Sequence, residues 1–352
     1  MLEIWLLIAD KTRMSLPRLK VPWRWLSVTA LCTAFLPLAG ASGASAQAFL
    51  PPPDKVFQGV VGDPASYRQA VGKHPAVLQV FAAWGQYLPA IFADASSQRA
   101  RLMIHITTAS GSREMITPAG IAAGEGDGWL TSLCQAAAAS GRVTYIRLMA
   151  EMDTSWNPYG AFNSGGSRRD AAHSTRAFRQ AWRRVALILR GGSLATLDAR
   201  LRQLRMPKLR TRVELPRPKI AMLWVPQVAG APDVRGNQPR DYWPGGRYVD
   251  WVGTDFYANA PNFAGLGRLY RAYPRKPFLF GEYALWGIDD PGWVNHLFGW
   301  VGSHHRTRML IYNQGLSASA PFRLWRYPKA AAALRQRLAS PRYPAYAPEL
   351  KS

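Results

Sequence analysis

The stretch VTYIRLMAEMDTSW, Val143 to Trp156, begins as seven residues that read as a buried strand and then places a carboxylate, Glu151, at the tip. KPFLFGEYALW, Lys276 to Trp286, does the same with Glu282. Continuously apolar strands of this kind belong to parallel sheets covered on both faces by helices. Six more candidates follow the pattern: FQGVV from Phe57, AVLQVFAAW from Ala76, ARLMIHI from Ala100, KIAMLWV from Lys219, VDWVGTDF from Val249 and RMLIYNQ from Arg308. Amphipathic segments lie between most of them, among them PASYRQAVGK, GWLTSLCQAAAAS, TRAFRQAWRRVALILR, FAGLGRLYRAY and PGWVNHLFGWVGSHH. Strands alternating with helices at this spacing predict an α/β fold, and eight such units predict a single closed (β/α)8 (TIM) barrel. No strand leads into a G-x-G-x-x-G loop, which argues against an open dinucleotide-binding sheet. GEGDGWL is Gly-rich but follows no strand, and its Asp127 reads as a helix N-cap. Between the fourth helix and the fifth strand, GGSLATLDARLRQLRMPKLRTRVELPRP is longer than a turn requires and predicts an inserted basic helix with a Pro-rich return on the barrel's outside.

The composition agrees with a large globular domain: of 352 residues, 48% are hydrophobic and 18% charged, which excludes a disordered chain. At the start, KTRMSLPRLKVPWRW is basic, LSVTALCTAFLPLAGA is a short apolar run, and ASA at Ala44 to Ala46 is a small-residue cleavage signal. These predict a cleaved signal peptide over 1–46, with Met14 as good a start as Met1, and a protein secreted or held in a bacterial cell envelope. The apolar run is short for a spanning helix and contains Pro37, so no lasting membrane insertion is expected. An extended lead-in over 47–56, a barrel over 57–340 and a tail over 341–352 complete the expected organisation. Cys32 falls in the signal segment and leaves Cys134 alone, so no internal disulfide can form; Cys134 reads as a small buried hydrophobe. The net charge of +23, from 44 basic and 21 acidic residues, gathers between Arg168 and Lys219. That block reads as a solvated arginine face, because aromatics do not alternate with the arginines as a nucleic-acid groove requires. An acidic glycan is a second reading, and no nucleic-acid partner is expected.

In a (β/α)8 barrel the working groups sit at the C-terminal ends of strands. Glu151 ends the fourth strand and Glu282 the seventh, so both carboxylates can face one mouth. Cleaving a glycosidic bond needs such a pair; at about 5–5.5 Å apart, one is the nucleophile and configuration is retained. Taken singly, each Glu is equally well a first-turn helix residue stabilised by the dipole, but two at these strand ends, beside aromatics, favour catalysis. Alternation puts Tyr145, Arg147, Met149 and Glu151 on one face, so Arg147 points inward and needs an acidic partner, for which Asp255 and Glu282 are the candidates. A structural ion pair explains Arg147 as well as an electrostatic role does. His105 on the third strand can reach the same cleft, although a satisfied core histidine accounts for it slightly better. Trp84, Trp156, Trp224 and Trp286 fall at or just after strand ends, where flat faces stack on sugars; Trp156 and Trp224 lead. Tyr312 and Asn313 end the eighth strand and fit the cleft floor. His304 and His305 are adjacent and do not share a helix face, so no metal site is expected there, and no cofactor is expected at all.

YIRLMAEMDTSW, YWPGGRYVDWVGTDFYANAPNF and KPFLFGEYALW together resemble glycoside hydrolase family 26, the family of many β-mannanases, within the wider clan of (β/α)8 hydrolases. WPGGRYVDWVGTDFY is the most specific piece, and the resemblance covers roughly Phe57 to Pro328. It implies a metal-independent retaining hydrolase of β-linked polysaccharide, mannan by default, with Glu151 as acid/base and Glu282 as nucleophile. It also implies that Tyr257 donates to the nucleophile's carboxylate. The family's acid/base Glu usually follows His or, in the wider clan, Asn; here Ala150 precedes it, and Asp153 and Thr154 replace a common Asn-Gly. Ala150 is the basis of a rival expectation, a glycan-binding barrel without turnover. A third is a binder of anionic cell-surface polymer through the Arg-rich insertion. The protein is expected to act as a monomer on a polysaccharide.

Overall fold

In the computed structural model, which describes residues 49–351, all eight apolar runs are strands. They are β1 (Phe57–Val61), β2 (Val77–Ala83), β3 (Arg101–Thr107), β4 (Thr144–Leu148), β5 (Ile220–Trp224), β6 (Trp251–Tyr257), β7 (Phe278–Ala284) and β8 (Thr307–Asn313). Each pairs in parallel with its neighbours in sequence, and β1 closes the barrel against β8, from Phe57 opposite Met309 to Val61 opposite Asn313. The expected signal peptide, residues 1–46, lies outside the described residues. Among those described, no helix is long and apolar enough to cross a membrane.

Alternation along the strands divides the apolar residues into two cores. Met103, Tyr145, Leu223, Trp251, Leu279 and Ile311 pack with one another inside the barrel. Ile104, Ile146, Met222, Val252, Phe280 and Leu310, one step out of phase, pack outward against the helices. Those helices are α1 (Pro64–Val71), α2 (Pro89–Ser97), α3 (Pro118–Ala122), α4 (Asp127–Ser140), α5 (Thr175–Arg190), α6 (Leu194–Gln203), α7 (Phe263–Ala272), α8 (Pro291–Ser303) and α9 (Pro328–Ala339). The starts are chemically marked: Asp63, Thr117, Ser174, Ser193 and Asp290 each accept backbone N–H groups as N-caps. One unit departs from the repeat. Residues 225–250, after β5, carry no α-helix, only the short 3-10 turns Pro239–Tyr242 and Gly246–Tyr248.

The insertion after α5 is the expected helix, α6, with its return. Leu197, Leu201, Met206, Leu209 and Leu215 bury it against the barrel's helices, while Arg200, Arg202, Arg205, Lys208 and Arg212 stay exposed. Asp127 is not the N-cap of α4, which is Gly126. It is buried and takes two hydrogen bonds from the buried Arg184, at 2.7 and 2.6 Å, and a third from the Arg210 backbone at 3.0 Å. A residue at the first helical position reads as a cap until its distant partner is known. Cys134 is buried as expected, and burial pushes its thiol up to about 11.

The strand N-termini are sealed by both ends of the described chain. Arg101, inside the barrel, donates to Glu349 at 2.7 and 3.0 Å, to the Tyr145 hydroxyl at 2.7 Å and to the Phe49 carbonyl at 3.4 Å. Residues 341–351 run beneath the floor, where Lys73 donates to the carbonyls of Ser340 and Tyr343 and His74 stacks on Tyr346 at 4.3 Å. With that end closed, the opposite end is the one open to a ligand.

Candidate active site

Glu282 faces the barrel mouth because β7 is irregular. Strict alternation would place it with Phe278 and Phe280, which face the outer core. Thr254 of β6 does pair with Phe280, but the next residue, Asp255, pairs with Glu282. On the other side Leu310 faces Phe280 and Tyr312 faces Tyr283, so β8 spends two residues where β7 spends three. Gly281 is the extra residue, a bulge that turns the chain by one face. A side chain does not fit there: a Cβ would lie 2.8 Å from Asp255 Oδ1 and 3.0 Å from Arg147 Nε.

Glu151 is delivered by a second irregularity. β4 ends at Leu148, and Met149 and Glu151 take φ values of +42° and +52°. For residues with side chains that left-handed geometry costs about 1–2 kcal/mol each. The expected common face of Tyr145, Arg147, Met149 and Glu151 therefore holds only for the first two. Met149 turns into the outer core, and Ala150 takes the inward place. The Glu151 backbone is tied to β5's end, its N–H donating to the Val225 carbonyl at 2.7 Å.

Arg147 is buried, with one arm on Asp255 and the other on Glu282. Both partners expected from alternation are thus engaged at once. His105 Nδ1 accepts a third bond from Arg147, at 3.0 Å. Burial, with the Arg147 charge added, pushes His105 well below the ordinary histidine value, so it stays neutral. Glu282 accepts on both oxygens: from Arg147 and Gln79 Nε2 (3.0 Å) on one, from the Tyr257 hydroxyl (2.5 Å) and Asn313 Nδ2 (2.8 Å) on the other. Burial, then the neighbouring Glu282 charge, holds the Tyr257 hydroxyl protonated, so it remains a donor. Burial pushes Asp255 well above the usual carboxylate range; Arg147 pulls it down, while Glu282 and Glu151 push it further up. Three carboxylates around one guanidinium exceed its charge, which adds to the effect of burial in the same direction. Glu151 accepts from Trp156 Nε1 at 2.9 Å and from Gln227 Nε2 at 2.5 Å.

An open cleft of about 460 Å³ is lined by Glu151, Trp156, Gln227, Asp255, Tyr257, Asn259 and Trp286 among others, and Glu282 adjoins this lining through its bond from Tyr257. Trp156 and Trp286 are 62% and 40% exposed there, as flat sugar-binding faces would be. Three expected cleft aromatics are elsewhere. Trp224 is fully buried on the outer face of β5, edge-on to Trp243 and Tyr273 at 4.9 and 5.2 Å. Tyr312 points outward from β8 to donate to the Phe322 carbonyl at 3.0 Å, and Asn313 takes the inward place. Trp84 is buried against Trp129 at 4.8 Å. Each stands at a strand end, but on the side that faces the helices.

Two contributors were not anticipated. Gln79 had a readable signal, a polar residue interrupting an apolar strand in phase with Val77. Gln227 had none, because the segment after β5 has no periodicity. Among the described residues, no group of three or more His, Cys, Asp or Glu side chains is placed to hold a metal ion.

Solved β-mannanase structures are among those with the same architecture. A Bacillus subtilis mannanase superposes with a TM-score of 0.55 at 16% identity, over 87% of this chain and 91% of that one. A family 26 β-mannanase from Bacteroides ovatus gives 0.55 at 14% identity, over 85% and 92%. A double mutant of the Cellulomonas fimi endo-β-1,4-mannanase gives 0.56 at 16%, over 85% and 75%. The fold is that of the family 26 glycoside hydrolases. By sequence, no family model matches the chain, and no curated protein does. The likeness to family 26 therefore rests on a barrel retained at low identity, and the chemistry has to be argued from the side chains at its mouth.

Proposed function

We propose that this protein is an exported, retaining glycoside hydrolase acting on a β-linked polysaccharide of the mannan type, with Glu282 as nucleophile and Glu151 as acid/base. One observation carries the reading. Glu282 is met on both oxygens by donors, one of them a buried guanidinium, while Glu151 accepts only from the neutral Trp156 and Gln227 side chains. A nucleophile needs to be an ordered acceptor; an acid/base needs surroundings that tolerate both of its protonation states. In the first step a Glu282 oxygen forms a bond to the anomeric carbon as the bond to the leaving sugar's oxygen breaks, and Glu151 gives that oxygen its proton. In the second, Glu151 takes a proton from water, whose oxygen displaces Glu282. Tyr257 and Asn313 fix the attacking carboxylate, and Arg147 sets the charge beneath it. Trp156 and Trp286 offer exposed faces for sugar rings.

The test is release of reducing ends from a panel of β-linked polysaccharides, mannan among them. Wild type should release them; Glu282→Ala and Glu151→Ala should each nearly abolish release while circular dichroism and melting show a folded barrel. A double variant that works like wild type would sink the assignment. Binding without any release by wild type would favour the non-catalytic reading that Ala150 suggests.

A further inference from the structure

The segment that replaces the helix after β5 has an arrangement that the reaction as described does not use. We infer that Gln227, anchored through Asp153, is the positioning residue of Glu151, an inference that rests on the hydrolase reading above. Glu151 stands three residues past the end of β4, in a left-handed conformation. A carboxylate there has several rotamers open to it, and only some aim at a leaving oxygen. Gln227 Nε2 holds one of its oxygens at 2.5 Å. The other is held by the Trp156 indole, itself largely exposed.

Gln227 is in turn fixed from behind. Its backbone N–H donates to Asp153 Oδ1 at 2.9 Å. Asp153 is completely buried, and burial, against the pull of the Gln227 backbone N–H, pushes it well above the usual carboxylate range. Its carbonyl accepts from the Ala231 N–H at 2.8 Å and from Asn237 Nδ2 at 3.0 Å. The loop after β4 and the segment after β5 are thus joined through Asp153, and Gln227 is the side chain this joint presents to the cleft.

The amide suits a partner that changes protonation state. It donates to a carboxylate and, turned over, accepts from the acid's O–H, so it holds Glu151 in both halves of a double displacement. Methionine has nearly the same length and does neither.

The test uses Gln227→Met and Glu151→Ala with two substrates: a β-mannan polymer, whose leaving sugar needs a proton, and a dinitrophenyl β-mannobioside, whose leaving group does not. In Gln227→Met, kcat on the polymer should fall about 10- to 100-fold with KM little changed, as for impaired proton transfer. The bond-breaking step of the dinitrophenyl substrate, read as the burst, should keep wild-type rate in both variants. An unchanged kcat on the polymer overturns the inference. So does an equal loss on both substrates, which is the mark of general damage to the site. If wild type cleaves neither substrate, the hydrolase reading fails and takes this inference with it; if wild type cleaves both and Gln227→Met matches it, only the inference fails.

Discussion

Two arginines are buried inside this barrel, Arg101 near the floor and Arg147 near the mouth. Arg101 meets one carboxylate, Glu349, whose side chain is 40% exposed, and completes its bonds with the Tyr145 hydroxyl and the Phe49 carbonyl. One charge faces one charge, and water reaches the acidic partner. Arg147 meets Asp255 and Glu282 together, with Glu151 close enough to raise its proton affinity as well. The mouth holds more negative charge than its guanidinium balances; burial pushes Asp255 up, and the neighbouring Glu282 and Glu151 push it further. The floor's pair ties chain ends to the barrel; the mouth's cluster keeps charge poised at a cleft. The two guanidiniums are both buried, so what separates them is the number of their acidic partners and how far water reaches those partners.

Removing the mouth's cation should have the largest effect. Arg147→Met leaves Asp255 and Glu282 buried without compensation, which costs about 3–5 kcal/mol of stability at neutral pH. It should also lower kcat about a thousandfold, the scale of losing a preorganised charge in a dry site. Urea titration should find the destabilisation relieved at acidic pH, where the orphaned carboxylates take protons. Retention of a tenth of wild-type activity would break the contrast between the two ends. Arg101→Met should cost about 2–3 kcal/mol, less because Glu349 can turn to water. Its kcat at low temperature should stay at the wild-type level, and a large fall would mean that floor and mouth are coupled.

Gly281→Ala sharpens the contrast from within the mouth. A methyl group wedged between Asp255 and Arg147 should cost about 1–3 kcal/mol, as overpacking does, and lower activity by roughly tenfold through misplacement of Glu282. A variant with wild-type kcat would show that the Asp255–Arg147 pair has slack.

The smallest effect is the floor's pH dependence. Burial alone would raise Glu349, but its hydrogen bond to Arg101 and the arginine's charge lower it below its ordinary value of 4.5. A carboxylate depressed in the folded state contributes stability that is present above its unfolded pKa and lost as pH falls through the folded one. Melting temperature should therefore drop below about pH 4.5 by this route, and Glu349→Gln should flatten that part of the curve. An unchanged acid limb in Glu349→Gln would show that other carboxylates dominate it.

The strands were legible because parallel, doubly covered strands read as near-continuous apolar runs, and so do the eight quoted from Phe57 to Arg308. Arg147's partners were legible because a buried guanidinium admits few. The cleft aromatics were only half legible. Trp156 and Trp286 lie in loops past their strands, whereas Trp84, Trp224 and Tyr312 stand close to strand ends, where a single step of phase decides between cleft and core. Phase is also what alternation misjudged at Met149, since nothing in LMAEMD marks a left-handed turn. Gln227 was invisible for a different reason: its place depends on Asp153, 74 positions away along the chain, and no local period encodes a contact of that span.

The bulge at Gly281 means that the site is specified by counting as much as by identity. Deleting that glycine would leave every catalytic side chain in the sequence and turn Glu282 toward the helices, where no substitution at position 282 could recover it. Substitution libraries never sample that variable. Insertions and deletions of one residue in β7 do, and they offer a way to separate having a nucleophile from aiming one.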